Sequence, residues 1–375
     1  MDSADVCIVG GGMAGASVAF HLAPHAAVVL LEREPHVGYH STGRSAALYA
    51  PQYGSPVIRH LTASAGPFLS APPAGFAPAP LLTDRGFMTI GSAAQRAALE
   101  RHEAIARAAG QSATRLTTRE ARAIVPSLRP EATDWALLDP TARDIDVEAL
   151  LQGFLRGARA HGARVMTTRG VTALERAGTG WRIGGADFDL RASVVVDAAG
   201  AWADELAGLA GIAPLGLVPH RRTAFIFDAP DTVAVGRWPM VSDADELFYF
   251  KPEAGRLLGS LAEEVPSPPT DAQPDELDVA IAVDRIERSV EFAVRRVLRS
   301  WTGLRVFARD RDPVSGFEPG VPGFYWHAAI GGYGIQTSPA LGEFAAAMIL
   351  GHRPPAALTE RGLTAAAIAP ERLRV

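Results

Sequence analysis

Asp5-Val6-Cys7-Ile8-Val9-Gly10-Gly11-Gly12-Met13-Ala14-Gly15, followed by Val28-Val29-Leu30-Leu31-Glu32, decides the fold of this 375-residue chain. It reads as a strand, a glycine turn, a helix, a second parallel strand and an acid. That order is the βαβ unit that binds an ADP-containing dinucleotide. Gly10 allows the tight turn after the strand. Gly12 removes a Cβ that would block a pyrophosphate, and Gly15 lets the helix approach the sheet. The phosphates then meet backbone N–H groups at the positive end of the helix dipole. Glu32 stands 17 residues after Gly15, close to the spacing of an acid that bonds ribose hydroxyls.

The length suggests two domains. The chain is 48% hydrophobic and 21% charged, ordinary values for a globular enzyme with a large core. A net charge of −5 gives no basic surface for nucleic acid. The one cysteine, Cys7, lies in the first strand and reads as a small buried hydrophobe. An internal disulfide, a Cys-x-x-Cys redox centre and a cysteine metal site are thereby excluded, and no metal is expected. The N-terminus carries Asp2 and Asp5 where a signal peptide needs positive charge. No run of about 20 apolar residues is present to span a bilayer. The expectation is a cytoplasmic protein.

Helices are predicted over 57–71, 93–109, 117–124, 147–161, 274–297 and 338–350, the fourth capped by Asp146. Strands are predicted over 163–168, Ala224–Phe227, Leu247–Phe250, Leu257–Ser260 and Phe324–Ala329. Val171–Glu175 and Trp181–Ile183 read as an antiparallel meander, and Val194-Val195-Val196 as a strand at the centre of a parallel sheet. A dinucleotide domain is expected from 1–48, 141–216 and 303–375. A substrate domain is expected from 49–140 and 217–302.

Three more motifs bear on the cofactor: Gly38–Ala47, Val194–Trp202 and Gly331–Ser338. Each is a small-residue turn beside a strand or a helix start, which lets backbone approach a flat ring system. NAD alone would not need three such turns. On the segments His40–Ala47, Pro219–Phe227 and Gly331–Ser338 the chain resembles the D-amino-acid oxidase superfamily of FAD flavoproteins, from Asp5 to Arg374. Within it the chain is most similar to the bacterial D-arginine dehydrogenases.

The resemblance implies an α/β fold with an α+β substrate part. A Rossmann-like FAD-binding domain would carry an inserted mixed or antiparallel sheet. It implies non-covalent FAD held by Gly10, Gly12, Gly15, Glu32, Arg33 and Thr42, with Val171, Ala199 and Gly200 along the dinucleotide. Ser45, Ala46 and Ala47 would face the isoalloxazine. The turn Gly331-Gly332-Tyr333-Gly334, with Ile335, would aim a helix N-terminus at the flavin pyrimidine ring, where positive dipoles favour the reduced, anionic flavin.

Arg222 and Arg305 match the family's carboxylate-binding positions, and Tyr53 and Tyr249 its substrate tyrosines. Arginine suits this task because its planar fork binds a carboxylate bidentately. Met240 would be an apolar wall, and Gly332 and Gln336 would reach the amine or the carboxylate. The departures are Phe87 where the arginine-specific enzymes have an acid and Leu48 where they have a histidine. Ala50 replaces a threonine and Ser242 a valine. Without that acid nothing offsets burial of a cationic side chain, so apolar or aromatic D-amino acids are expected over D-Arg.

The implied reaction is hydride transfer from Cα to flavin N5, then hydrolysis of the imino acid to a 2-oxo acid and ammonia. The implied partners are the amino acid and an electron acceptor, whether a quinone, O2 or another. The one lysine, Lys251, lies outside Arg256–Ser260, where some sarcosine-oxidase-type relatives place a lysine that promotes reaction with oxygen. That leans toward a dehydrogenase. The rival reading is a secondary-amine oxidase or dehydrogenase acting on sarcosine, proline or N-methyl amino acids.

Overall fold

The computed structural model describes residues 2–108, 113–230 and 233–374. Its first sheet has eight strands built around Asp2–Val9. Val28–Leu31 lies parallel on one side of it and Phe188–Asp197 on the other. Arg164–Met166 extends the sheet beyond Val28–Leu31, and Phe324–Ala328 pairs parallel with the end of Phe188–Asp197. These five parallel strands therefore run third, second, first, fourth, fifth in sequence order. Val6, Ile8, Val28 and Leu30 face the helices Met13–Leu22, Val147–Ala160 and Gly334–Ile349. Cys7, Val29 and Leu31 face the opposite core with Trp181 and Trp326. Both faces are buried, as crossover helices require of a parallel sheet. Burial also pushes the Cys7 thiol up to about 12, which leaves it unreactive.

The predicted meander is present as Ala173–Ala177, Gly180–Gly185 and Phe188–Asp197. The strand order reverses between Asp2–Val9 and Phe188–Asp197, and ligands bind outside the strand carboxyl ends at such a switch point. Here the turns that follow the two strands nearly touch. A Cβ on Gly10, whose φ is +114°, would lie 2.2 Å from the Ala198 carbonyl oxygen.

The second sheet has nine strands. Its register places distant residues on one face, because directly opposed residues share a face, as do residues two apart. Phe87 lies opposite both Asp139 and Met240. Ser242, two residues after Met240, lies opposite Tyr249, and Tyr249 lies opposite Ser260. Ser260 pairs with Ala224, two residues after Arg222. Arg222 in turn lies opposite Gly303, two residues before Arg305. The other face carries Met88, Val241, Phe225 and Phe250 onto Ala282 and Ile286 of the helix Glu276–Ser289. A small third sheet joins Leu48–Tyr49, Leu82–Asp84 and Arg143–Ile145.

Three of the longer elements that differ from the sequence reading are these. The helix expected over 274–297 stops at Ser289, where Ser289 Oγ donates to the Ile286 carbonyl and Val290 turns extended. The stretch Val297–Phe307, given no element above, is an 11-residue strand paired along Val218–Phe227. The helix expected from 338 begins at Gly334. Pro339 lacks the N–H that would reach Ile335, and Ser338 Oγ donates to that carbonyl instead, at 3.0 Å.

Asp197 closes its strand fully buried, with Oδ1 accepting the Ala199 N–H at 3.1 Å and Oδ2 without a partner. Burial raises its carboxyl well above the usual range, and nearby Asp204 adds to this. A raised folded-state value contributes stability that is complete below the unfolded value and is lost as pH climbs toward the folded one. From pH 5 to pH 7 the unfolding free energy of Asp197→Asn will therefore gain on the parent. Denaturant titrations at the two pH values measure this. A constant difference would mean that Asp197 is ionised in the fold.

Among the described residues, no helix is long and apolar enough to cross a membrane.

Candidate active site

A cavity of about 710 Å³ runs along the carboxyl ends of the parallel strands and onto the second sheet. One end is built for a dinucleotide. Glu32 Oε2 accepts the Gly11 N–H at 2.8 Å and its Oε1 accepts the Glu34 N–H at 2.9 Å, so the acid staples the glycine turn as it lines the cavity. Thr42 Oγ1 accepts the Met13 N–H at 3.0 Å and caps the first helix. Among the described residues the Gly12 and Ala14 N–H groups have no protein partner, and both residues line the cavity. Two donors at a helix N-terminus remain for a phosphate. The Arg33 guanidinium stacks 3.6 Å over the Trp202 ring. A Cβ on Gly200 would meet nothing within 4 Å, so this cavity wall is open to a bulky group. Val171 and Ala199 line the same end.

The middle of the cavity is framed by two tight turns. Ser45 Oγ accepts the Ala47 N–H at 3.0 Å, and Ala47 adopts a φ of +44°, a conformation that costs a side-chain-bearing residue about 1 kcal/mol or more. Arg44 holds this turn to the second sheet by donating to the Thr302 carbonyl at 2.8 Å and to Asp271. The second turn begins where the Gly331 N–H donates to the Val306 carbonyl at 2.9 Å. Gly334 and Ile335 then open the long helix toward the cavity.

The far end carries the residues that register brought to one face. Arg222 is buried, donates from Nε to the Glu263 carbonyl at 2.8 Å and pairs with Glu264 at 3.2 Å. Glu264 also binds Arg311 at 2.8 Å. Burial lowers the Arg222 pKa, and the neighbouring Arg305 charge lowers it further. Arg305 has no salt bridge among the described residues. Burial works against its charge, but the Tyr53, Tyr249 and Tyr333 phenols around it outweigh this and hold its pKa above the ordinary value. A Cβ on Gly332 would lie 2.6 Å from the Arg305 guanidinium carbon. Gly332 thus gives Arg305 room to pack against the glycine turn.

Leu48, Phe87, Met240, Ala46 and Tyr249 form one apolar cluster here. Gln336 lines the cavity, and its Oε1 accepts the Ala50 N–H at 2.9 Å, which ties the Tyr53 loop to the long helix. Ser242 lines the wall. Two residues read from the sequence do not line the cavity. Gly15 packs inward, where a Cβ would strike the Gly10 carbonyl oxygen. The Tyr333 ring packs against the Tyr53 ring, with centroids 5.4 Å apart. Sequence reasoning missed Gln52, Asp139, Trp202 and His327, all of which line the cavity. Only Trp202 carried a local signal, as the end of the Val194–Trp202 motif. Lys251 is buried in ion pairs with Asp144 at 2.8 Å and Glu253 at 3.0 Å, and is not among the residues that line the cavity.

A family model described as FAD dependent oxidoreductase (DAO) matches residues 5–348. The chain therefore belongs to the DAO family of FAD-dependent oxidoreductases, and FAD is its cofactor. It is similar to glycerol-3-phosphate dehydrogenase 1 of Mycobacterium tuberculosis, 30% identical over 196 residues, which cover 48% of this chain and 36% of that protein. The chain thus spans about a third of the length of these curated relatives. Its fold matches glycine oxidase from Geobacillus kaustophilus, with TM-score 0.85, 23% identity and 98% of each chain covered. It also matches L-proline dehydrogenase from P. horikoshii, with TM-score 0.84, 21% identity, 100% of this chain and 98% of that one.

Proposed function

We propose that this chain oxidises D-amino acids with apolar or aromatic side chains at the Cα–N bond. The observation that carries this reading is the arginine pair. Two guanidiniums share one sheet face, and Glu264 is the one carboxylate that pairs with either of them among the described residues. The uncompensated positive charge faces the cavity and suits a substrate carboxylate bound by planar forks. FAD, once bound, would supply the acceptor for the two electrons that leave the substrate as a hydride. The protein's part is to orient and to exclude water. Arg222 and Arg305 hold the carboxylate, Gly332 keeps Arg305 in place, and Tyr53 and Tyr249 close over the substrate. Fixing Cα in this way is catalysis by proximity. The amine gives a proton to solvent, Cα gives a hydride, and water converts the imino acid to a 2-oxo acid and ammonia.

The cluster of Leu48, Phe87, Met240 and Tyr249 supports an apolar side chain. The D configuration rests on the resemblance of His40–Ala47, Pro219–Phe227 and Gly331–Ser338 alone. Oxidation of a secondary amine such as sarcosine or proline is the second reading, favoured by the same arginine pair, which grips a carboxylate whatever the nitrogen carries. Steady-state rates with D-Leu, D-Met, D-Phe, D-Arg, sarcosine and proline separate the two. We expect kcat/KM for the apolar D-amino acids to exceed that for D-Arg at least tenfold. Higher values for sarcosine or proline would replace the first reading with the second. The same assays run with O2 and with a quinone analogue identify the acceptor.

A further inference from the structure

We infer that Gln52 sets the side-chain preference of the pocket by covering a buried acid, Asp139. This rests on the proposed reading, in which a substrate carboxylate sits on Arg222 and Arg305. Asp139 lies directly opposite Phe87 across the antiparallel strands Phe87–Gly91 and Trp135–Asp139, so both side chains share the cavity face. A carboxylate therefore stands next to the position where Phe87 had suggested that no acid remains. Asp139 is 4% exposed. Its Oδ1 accepts the Thr141 N–H at 2.8 Å and the Thr141 hydroxyl at 2.6 Å. Its Oδ2 accepts the Gln52 amide Nε2–H, and no cation pairs with it among the described residues.

The consequence follows from what a buried carboxylate demands. Its charge must be met by hydrogen bonds or by a cation. The neutral Gln52 amide, itself part of the cavity wall, meets that demand on the pocket side without adding charge. The Phe87–Met240 wall can then accept an apolar side chain beside it. Without Gln52, Oδ2 opens to the pocket and an ammonium or guanidinium becomes its best partner, through a charge-assisted bond. Gln52 is a specificity residue in this account, and Asp139 is the group it hides.

The test reads binding, so it stands apart from turnover. Pentanoate and 5-aminopentanoate are titrated into the FAD-loaded protein, and the visible flavin band is followed. The parent is expected to bind pentanoate more tightly. Gln52→Ala is expected to shift the affinity ratio toward 5-aminopentanoate by roughly tenfold or more. The double variant Q52A/D139N is expected to return the ratio to the parent value, as a double-mutant cycle requires if Asp139 causes the shift. Gln52→Ser takes the place of Gln52→Ala if the latter is recovered without flavin. An unchanged ratio in the single variant, or a shift that survives in the double variant, overturns the proposal. So does a parent whose flavin band responds to neither carboxylate. A parent that binds the carboxylates yet oxidises no D-amino acid overturns the functional reading alone.

Discussion

Replacing Arg305 with leucine will lower kcat/KM for D-Leu by roughly 10²–10⁴-fold, equal to about 3–5 kcal/mol of lost transition-state stabilisation. The magnitude follows from the site's charge balance. Arg222 already shares Glu264 with Arg311, whereas Arg305 has no carboxylate partner of its own among the described residues. Arg305 is therefore the guanidinium most free to take up a substrate carboxylate. Arg305→Lys keeps the charge but loses the planar fork, and should recover only part of the loss. Because Arg222 lies on the same face one ladder step away, the double variant should cost less than the sum of the two singles. Flavin content and unfolding midpoint should stay near those of the parent, since Arg305 has no salt bridge among the described residues. A loss of flavin equal to the loss of rate would assign Arg305 to cofactor binding instead.

The second large effect concerns the glycine turn. In Gly15→Ala the new Cβ would lie 2.0 Å from the Gly10 carbonyl oxygen and 3.1 Å from Ile8 Cγ2. One contact is with the turn backbone and the other with a buried strand side chain, so the helix must back away from the sheet and take the Gly12 and Ala14 N–H groups with it. Overpacking of this kind costs roughly 3 kcal/mol or more. Little yellow protein is expected, with a lowered unfolding midpoint even as apoprotein. Gly12→Ala is the control. Its Cβ would meet only the Thr42 hydroxyl, at 3.3 Å, and both residues line the cavity where we propose the pyrophosphate sits. That variant should fold with near-parent stability and lose FAD affinity roughly tenfold or more. Flavin absorbance relative to protein, measured beside thermal unfolding, separates the two outcomes. Equal behaviour of the two variants would contradict the distinct tasks assigned to these glycines.

The contrast between the two ends of the cavity shows what a sequence can disclose. The dinucleotide end was legible because its determinants are local. A turn that needs Gly10 at φ +114°, a helix that needs Gly15 against it and an acid after the next strand fall within about one βαβ unit of sequence. The substrate end is non-local. Asp139, Phe87, Ser242, Tyr249 and Arg222 meet through strand register alone, and no spacing along the chain encodes that pairing. The arginines, tyrosines and pocket walls came from resemblance. Asp139 had no counterpart to point to it; Leu138-Asp139-Pro140 reads locally as a turn, and the Thr141 bonds to Asp139 fit that reading. Val297–Phe307 escaped for a related reason. The Arg295-Arg296 pair just before it continues the apparent helical pattern of the preceding segment, and pairing with Val218–Phe227 overrides that pattern.

The most direct test of the central claim is anaerobic. The FAD-loaded protein is mixed with D-Leu, D-Arg and sarcosine in separate experiments, and the visible flavin band is followed while ammonia and 2-oxo acid are measured. The account predicts rapid bleaching by D-Leu, with one equivalent each of ammonia and 4-methyl-2-oxopentanoate per flavin. It predicts far slower bleaching by D-Arg and by sarcosine. Bleaching by sarcosine with D-Leu inert, or no bleaching by any amine, would contradict it.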